Sequence, residues 1–186
     1  EKVTTIFHLG AVSGSVYFSI DPIHAVNVNC VGTTNLLEMA LKFKIRKIVF
    51  AGTMSAYGHT PIPHKEDGPL SCLNPYVATK LFGERLMRLY WENHGLQTVC
   101  LRFSSVYGPG EETKGRVSNP VTQFIWAVLR GDPPLIYDTG DQTRDLVYVD
   151  DVVGALMSAM LHGHPGETYN VSTGIETSMN AVMNRI

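Results

Sequence analysis

Only three cysteines occur in the 186 residues, Cys30, Cys72 and Cys100. Their odd number and wide spacing argue against a disulfide framework and against a zinc site, so no metal is expected. A reducing, cytoplasmic setting fits that pattern. Runs of positive charge are also absent: 15 Lys and Arg are scattered among 17 Asp and Glu, for a net charge of -2. Nothing therefore favours nucleic acid as a partner. No apolar stretch is long enough to span a bilayer, so no membrane partner is expected. Repeats, linkers and low-complexity segments are missing too. What remains is an ordinary globular composition, 44% hydrophobic, with enough chain to bury about 70% of its unfolded surface.

Apolar patterning alternates between two kinds of element. Strand signals lie near residues 3–9, 46–52, 97–103, 134–137, 145–149 and 168–171, and helix signals near 23–44, 75–94, 117–130 and 150–162. Such alternation predicts an α/β fold with a largely parallel sheet. Asp21-Pro22 and Asn74-Pro75 are plausible helix entries, because proline suits a first helical turn. The two long early helices should flank one face of the sheet. Their apolar residues Leu36, Leu37, Met39, Leu81, Met87 and Leu89 need no role beyond core packing.

Chemistry concentrates in two neighbouring segments, "FAGTMSAYG" (residues 50–58) and "NPYVATK" (residues 74–80). On a helix, Tyr76 and Lys80 lie one turn apart on one face, with about 5 to 6 Å between Cβ atoms. An ammonium beside a phenol favours the phenolate. Moving a pKa from about 10 toward 7 takes about 4 kcal/mol of differential stabilisation. Tyr76 is thereby a candidate base, and the Thr53 hydroxyl a candidate to hold a substrate oxygen or relay its proton.

These segments resemble the extended short-chain dehydrogenase/reductase superfamily, and within it the NAD-dependent nucleotide-sugar epimerase and dehydratase family. Other segments carry the same resemblance in the same order: "TTIFHLGA" (4–11), "NVNCVGTTNLLEMA" (27–40), "LRFSSVYGPGE" (101–111), "GDQTRDLVYVDDVVGA" (140–155) and "GETYNVSTGIETSM" (166–179). The resemblance implies a Rossmann-type doubly wound, largely parallel sheet with part of a smaller substrate-binding lobe, the lobe segments near 105–145 and 168–186. It also implies a homodimer through the two long helices. No Gly-rich strand-turn-helix for a pyrophosphate occurs. Residues 1–186 are therefore expected to be one incomplete NAD-binding domain, lacking its N-terminal unit and continuing beyond residue 186.

The resemblance assigns catalysis to Thr53, Tyr76 and Lys80. It assigns cofactor contacts to Leu9, Gly10, Ala11, Asn29, Tyr76, Lys80 and Phe103, with NAD expected and NADP left open. Substrate contacts fall on Ser105, Asn119 and Arg144, the last gripping a nucleotide diphosphate through its planar donors. For Arg144 the alternative is a surface ion pair with Asp141 or Asp145, and for Asn119 a helix cap. Dehydratases of this branch follow their threonine with an acid pair, and decarboxylases keep one glutamate there. Here Met54 and Ser55 follow Thr53. Epimerisation, at C4 of a nucleotide diphosphate sugar through a 4-keto intermediate, is the expected reaction. A dehydrogenase or reductase of a small alcohol or ketone, and a non-catalytic NAD(P) sensor, are the alternatives.

Overall fold

A computed structural model describes residues 2–186, with the side chains of residues 112, 115 and 116 left aside. In chain order the elements are β1 (Thr5–His8), α1 (Ser15–Ile20), α2 (Pro22–Val26), α3 (Gly32–Lys42), β2 (Lys47–Thr53), α4 (Pro75–His94), β3 (Gln97–Phe103), β4 (Ser105–Tyr107), α5 (Pro120–Arg130), β5 (Thr143–Tyr148), α6 (Val149–His162), β6 (Thr168–Val171), β7 (Glu176–Ser178) and α7 (Met179–Met183). The chain divides into two compact units, residues 1–103 with 154–170, and residues 104–153 with 171–186.

The first unit is built on a sheet of order β1-β2-β3-β6. β1 runs parallel to β2 with His8 opposite Phe50, and β2 parallel to β3 with Thr53 opposite Phe103. Every residue of β2 is buried, as expected of a parallel strand covered on both faces. Side-chain alternation sends Ile48 and Phe50 to one face, where they pack with Leu37 and Ala40 of α3, Met87 of α4, Leu96 and Cys100. Both long helices thus flank one face, as the pattern predicts. Lys47 goes to the other face. Its ammonium donates to the carbonyls of Ala159 and Met160, each at 3.0 Å, and of Gly163 at 2.9 Å. Ala159 and Met160 lie in the last turn of α6 and Gly163 just follows it; the Ala159 carbonyl also accepts from the Gly163 amide at 3.0 Å.

α4 approaches β2 closely at Gly83, where a Cβ atom would stand 2.6 Å from Cζ of Phe50. Asn74 starts the helix, its side chain accepting from the Val77 amide at 3.0 Å, with Pro75 in the first turn.

In the second unit β4 pairs parallel with β5, and β5 antiparallel with β7. Val121 and Phe124 of α5 pack with Met179 and Val182 of α7. The Glu111 carboxylate accepts from the Asn119 amide at 2.8 Å and from Thr122 Oγ1 at 2.6 Å. A negative charge beside the first turn of α5 suits the helix dipole.

Several expected elements differ. Residues 134–137 are not a strand; Pro133 and Pro134 lack the amide hydrogens a ladder needs. The helix expected over 23–44 runs from Pro22 to Lys42 but widens to a π-helical segment at Asn27–Val31. The helix expected from 117 begins at Pro120, after a 3-10 stretch at Glu111–Val117. Short elements α1, β4 and β7 are additional, too brief for periodicity to mark.

Candidate active site

Thr53 closes β2 and is 8% exposed. Its hydroxyl accepts from the Ser55 amide at 3.2 Å, which starts a 3-10 turn over Met54–Tyr57. Gly58 ends the turn with φ at 56°, and a Cβ atom there would meet Ser71 Cβ at 2.9 Å. A side chain would be strained in both respects. The chain then returns through residues 59–74 to α4, whose first residues carry Tyr76 and Lys80.

The structure brings Thr53, Tyr76 and Lys80 to one end of the sheet. The Thr53 side chain is close enough to the Tyr76 phenol to favour its phenolate. The Phe18 ring meets the Tyr76 ring edge-on, with 6.2 Å between centroids. Lys80 is buried; its ammonium donates to the Ala51 carbonyl at 2.8 Å and stands 5.1 Å from the centre of the Phe50 ring. Burial lowers the Lys80 pKa to about 8. Burial also raises the Tyr76 phenol above its ordinary value, against a smaller lowering by the nearby Thr53 side chain. That upward direction is the reverse of the one expected from sequence, because taking a phenolate out of water costs more here than one hydroxyl partner returns.

Asn29 lies in the π-helical segment and is buried. Its Oδ1 accepts from the Val12 amide at 2.8 Å, and its Nδ2 donates to the Val12 carbonyl at 3.0 Å and to Thr79 Oγ1 at 2.9 Å. Thr79 in turn donates to the Tyr76 carbonyl at 2.8 Å. Asn29 therefore ties the loop after β1 to the first turn of α4, and π-helical insertions of this kind are frequent at functional sites. Leu9 and Gly10 are exposed in that loop, and Ala11 is half-buried. Nothing lies within 4 Å of a Cβ built on Gly10. Phe103 ends β3 opposite Thr53.

These features fit a dinucleotide, which binds open α/β sheets outside the carboxyl ends of the strands. The open backbone at Gly10 leaves room for close approach, and Lys80 has ammonium hydrogens beyond the one spent on Ala51.

Ser105, Asn119 and Arg144 belong to the second unit. Ser105 starts β4 opposite Leu146. Asn119 is the N-cap of α5: its Oδ1 accepts from the Val121 amide at 3.1 Å, and its Nδ2 donates to the Val106 carbonyl at 3.2 Å. Arg144 is exposed, with Nη1 donating to its neighbour's carbonyl, that of Thr143, at 2.8 Å. Asp145 is engaged elsewhere, accepting from the amides of Thr173 and Gly174 at 2.8 and 2.7 Å.

Sequence reasoning missed His8, Phe18 and Arg102. His8 Nε2 lies 2.8 Å from Thr33 Oγ1, and burial, then the charge of Lys80, hold its pKa down. Arg102 was detectable: a charge inside the apolar run "TVCLRF" requires a buried partner.

A buried parallel sheet that brings a tyrosine, a lysine and a threonine to the carboxyl ends of its strands defines a Rossmann-type α/β protein of the dehydrogenase/reductase kind. The sequence pattern of the NAD dependent epimerase/dehydratase family matches residues 1–172, and the chain belongs to that family, which is NAD-dependent. It is 37% identical over 179 residues to the UDP-glucose 4-epimerase of Mycolicibacterium smegmatis, covering 95% of this chain and 57% of the relative. Among solved structures it is similar to a UDP-glucose 4-epimerase with UDP-glucose from Thermotoga maritima, with a TM-score of 0.92, 32% identity, and coverage of 97% of this chain and 59% of the other. It is likewise similar to the Thermus thermophilus UDP-glucose 4-epimerase complex with NAD, with a TM-score of 0.88, 31% identity, and coverage of 98% and 60%. Matched relatives also include nucleotide-sugar dehydratases and a decarboxylase. The chain spans a little over half the length of such relatives.

Proposed function

We propose that this chain carries the catalytic residues of an NAD-dependent epimerase that inverts C4 of a nucleotide diphosphate sugar through a transient 4-keto sugar. One observation carries the reading: Thr53 stands beside Tyr76, its side chain favouring the phenolate, with Lys80 one helical turn further on and no carboxyl side chain at the two positions after Thr53. A 4,6-elimination would need a general acid there.

In this reading Tyr76 removes the proton of the sugar hydroxyl and later returns it. Thr53 orients the sugar oxygen and, as the phenol's neighbour, favours the phenolate. Lys80 supports the same charge state and contacts the nicotinamide ribose. Leu9, Gly10 and Ala11 offer backbone to the cofactor, Asn29 holds their loop, and Phe103 borders it. NAD, when bound, supplies the oxidising and then the reducing power for the sugar carbon. Arg144 grips the diphosphate, with Ser105 and Asn119 as further substrate contacts. The exposed Met39 of α3 and Phe82 of α4 support a homodimer through the long helices, which sedimentation velocity of the intact protein reads directly.

The test uses the full-length protein with a panel of nucleotide diphosphate hexoses and hexuronates, following C4 configuration by NMR. Interconversion of one C4 pair without added reductant is expected. Steady reduction of NAD on a simple alcohol, with no interconversion, would replace this reading by a dehydrogenase.

A further inference from the structure

We propose that Arg102 is a positioning residue whose guanidinium holds the Thr53-bearing turn and the Tyr76-bearing helix in one fixed relation; this rests on the roles assigned above to Thr53, Tyr76 and Lys80. Arg102 lies in β3, opposite Gly52 and one residue before the position facing Thr53. Its side chain is 3% exposed, deep enough that its charge requires partners. It finds them on three different segments.

Nε donates to Glu84 Oε2 at 3.0 Å and Nη2 to Oε1 at 2.5 Å, a two-pronged pair with α4. Glu84 follows Lys80 by four residues, on the same face of that helix. Nη1 donates to the Tyr57 hydroxyl at 2.6 Å, and the guanidinium carbon stands 5.0 Å from the centre of the Tyr57 ring. Tyr57 is the last residue of the 3-10 turn that Thr53 opens. Nη1 also donates to the Glu66 carbonyl at 3.1 Å, within the loop that leads to Tyr76. The arrangement closes on itself: the Tyr57 hydroxyl donates to Asn170 Oδ1 at 2.7 Å, and the Asn170 amide donates to Glu66 Oε1 at 2.9 Å. His64 stacks on Tyr57, with ring centres 4.5 Å apart.

Both parts of the catalytic pair thus hang from one planar, rigid cation. Lysine cannot reproduce this, since its point charge lacks the fork that meets Glu84 and Tyr57 together. Loosening either arm lets Thr53 drift from Tyr76, and misplacement of about 1 Å costs roughly 100-fold in rate.

The experiment uses the full-length holoenzyme with Tyr57→Phe, Glu84→Gln and Arg102→Lys. Two quantities are read well below the melting temperature: kcat and KM for sugar interconversion, and the titration of Tyr76 by NMR of tyrosine labelled with 13C at Cζ, assigned with Tyr76→Phe. Burial, with the Phe18 ring of α1 against the phenol, and the Thr53 side chain on β2 set this titration. Each variant is expected to lower kcat by about tenfold or more with KM within about twofold, and to raise the Tyr76 pKa as the Thr53 side chain moves away from the phenol. If melting temperatures fall while kcat and the Tyr76 titration stay as they were, the cluster only holds the fold and the proposal is overturned. Should Arg102→Lys fail to fold, Tyr57→Phe decides, because it removes a single oxygen. If the unsubstituted protein inverts no nucleotide sugar, the functional reading fails separately, and the Tyr76 titration alone settles the positioning role.

Discussion

The ammonium of Lys80 donates to the carbonyl of Ala51 at 2.8 Å, which fastens α4 to β2 two residues before Thr53. A cation this buried resists its charge, and its pKa falls from an ordinary 10.5 to about 8.

That depression has a sign in stability. Between the folded value of about 8 and the unfolded value of 10.5, the unfolded chain binds the Lys80 proton and the folded chain does not. Lys80 therefore contributes stability fully present above the unfolded pKa and lost as pH falls through about 8, worth about 3 kcal/mol across the window. Urea unfolding of the protein and of Lys80→Met over this range is the check. The unsubstituted protein gains stability relative to the variant as pH rises; parallel curves would contradict the assignment.

Tyr76→Phe removes the oxygen proposed to take the proton and keeps the ring against Phe18. Interconversion is expected to fall by about 10²- to 10⁴-fold, with NAD affinity within about twofold. Steady-state rates and calorimetric titration of NAD measure the two. A loss of binding equal to the loss of rate would make Tyr76 a packing residue.

Gly83→Ala probes how closely α4 must approach β2. The added methyl would stand 2.6 Å from Phe50 Cζ, inside the core and against a ring rather than a flexible chain end. Overpacking of this kind costs about 1 to 3 kcal/mol, read as a lower urea midpoint with an unchanged slope.

The placement of Tyr76 and Lys80 one turn apart on a helix, and of Thr53 at the end of an apolar strand, was legible in sequence because these features are local. Their assigned roles came from the family resemblance, not from the spacing. The parallel order of β1, β2 and β3 follows from strands alternating with helices. What was not legible depends on long-range burial. Nothing in the spacing shows that Asn29 reaches Val12 and Thr79 from a π-helical segment. The upward Tyr76 pKa comes from how deeply the ring is buried, which periodicity does not report. Residues 134–137 look like a strand by hydropathy, yet Pro133 and Pro134 remove two successive donors where a ladder would begin.

Asn29→Ala cuts both links to Val12 and the link to Thr79, leaving the half-buried Val12 amide and carbonyl without Asn29 as partner. Affinity for NAD is expected to weaken by about tenfold, the equivalent of about 1.4 kcal/mol, with sugar binding little changed. Calorimetric titrations with each ligand separate these. Equal weakening toward both would point to general destabilisation instead.

The central claim is that a hydrogen leaves C4 and returns to the same carbon of the same sugar. The most direct measurement runs the full-length protein with the nucleotide diphosphate sugar it interconverts in deuterated water, reading label by NMR after many turnovers. Inversion at C4 with no deuterium at C4 or C5 is the result the account predicts; deuterium entering either carbon would contradict it and place the chemistry on solvent-exchanged protons.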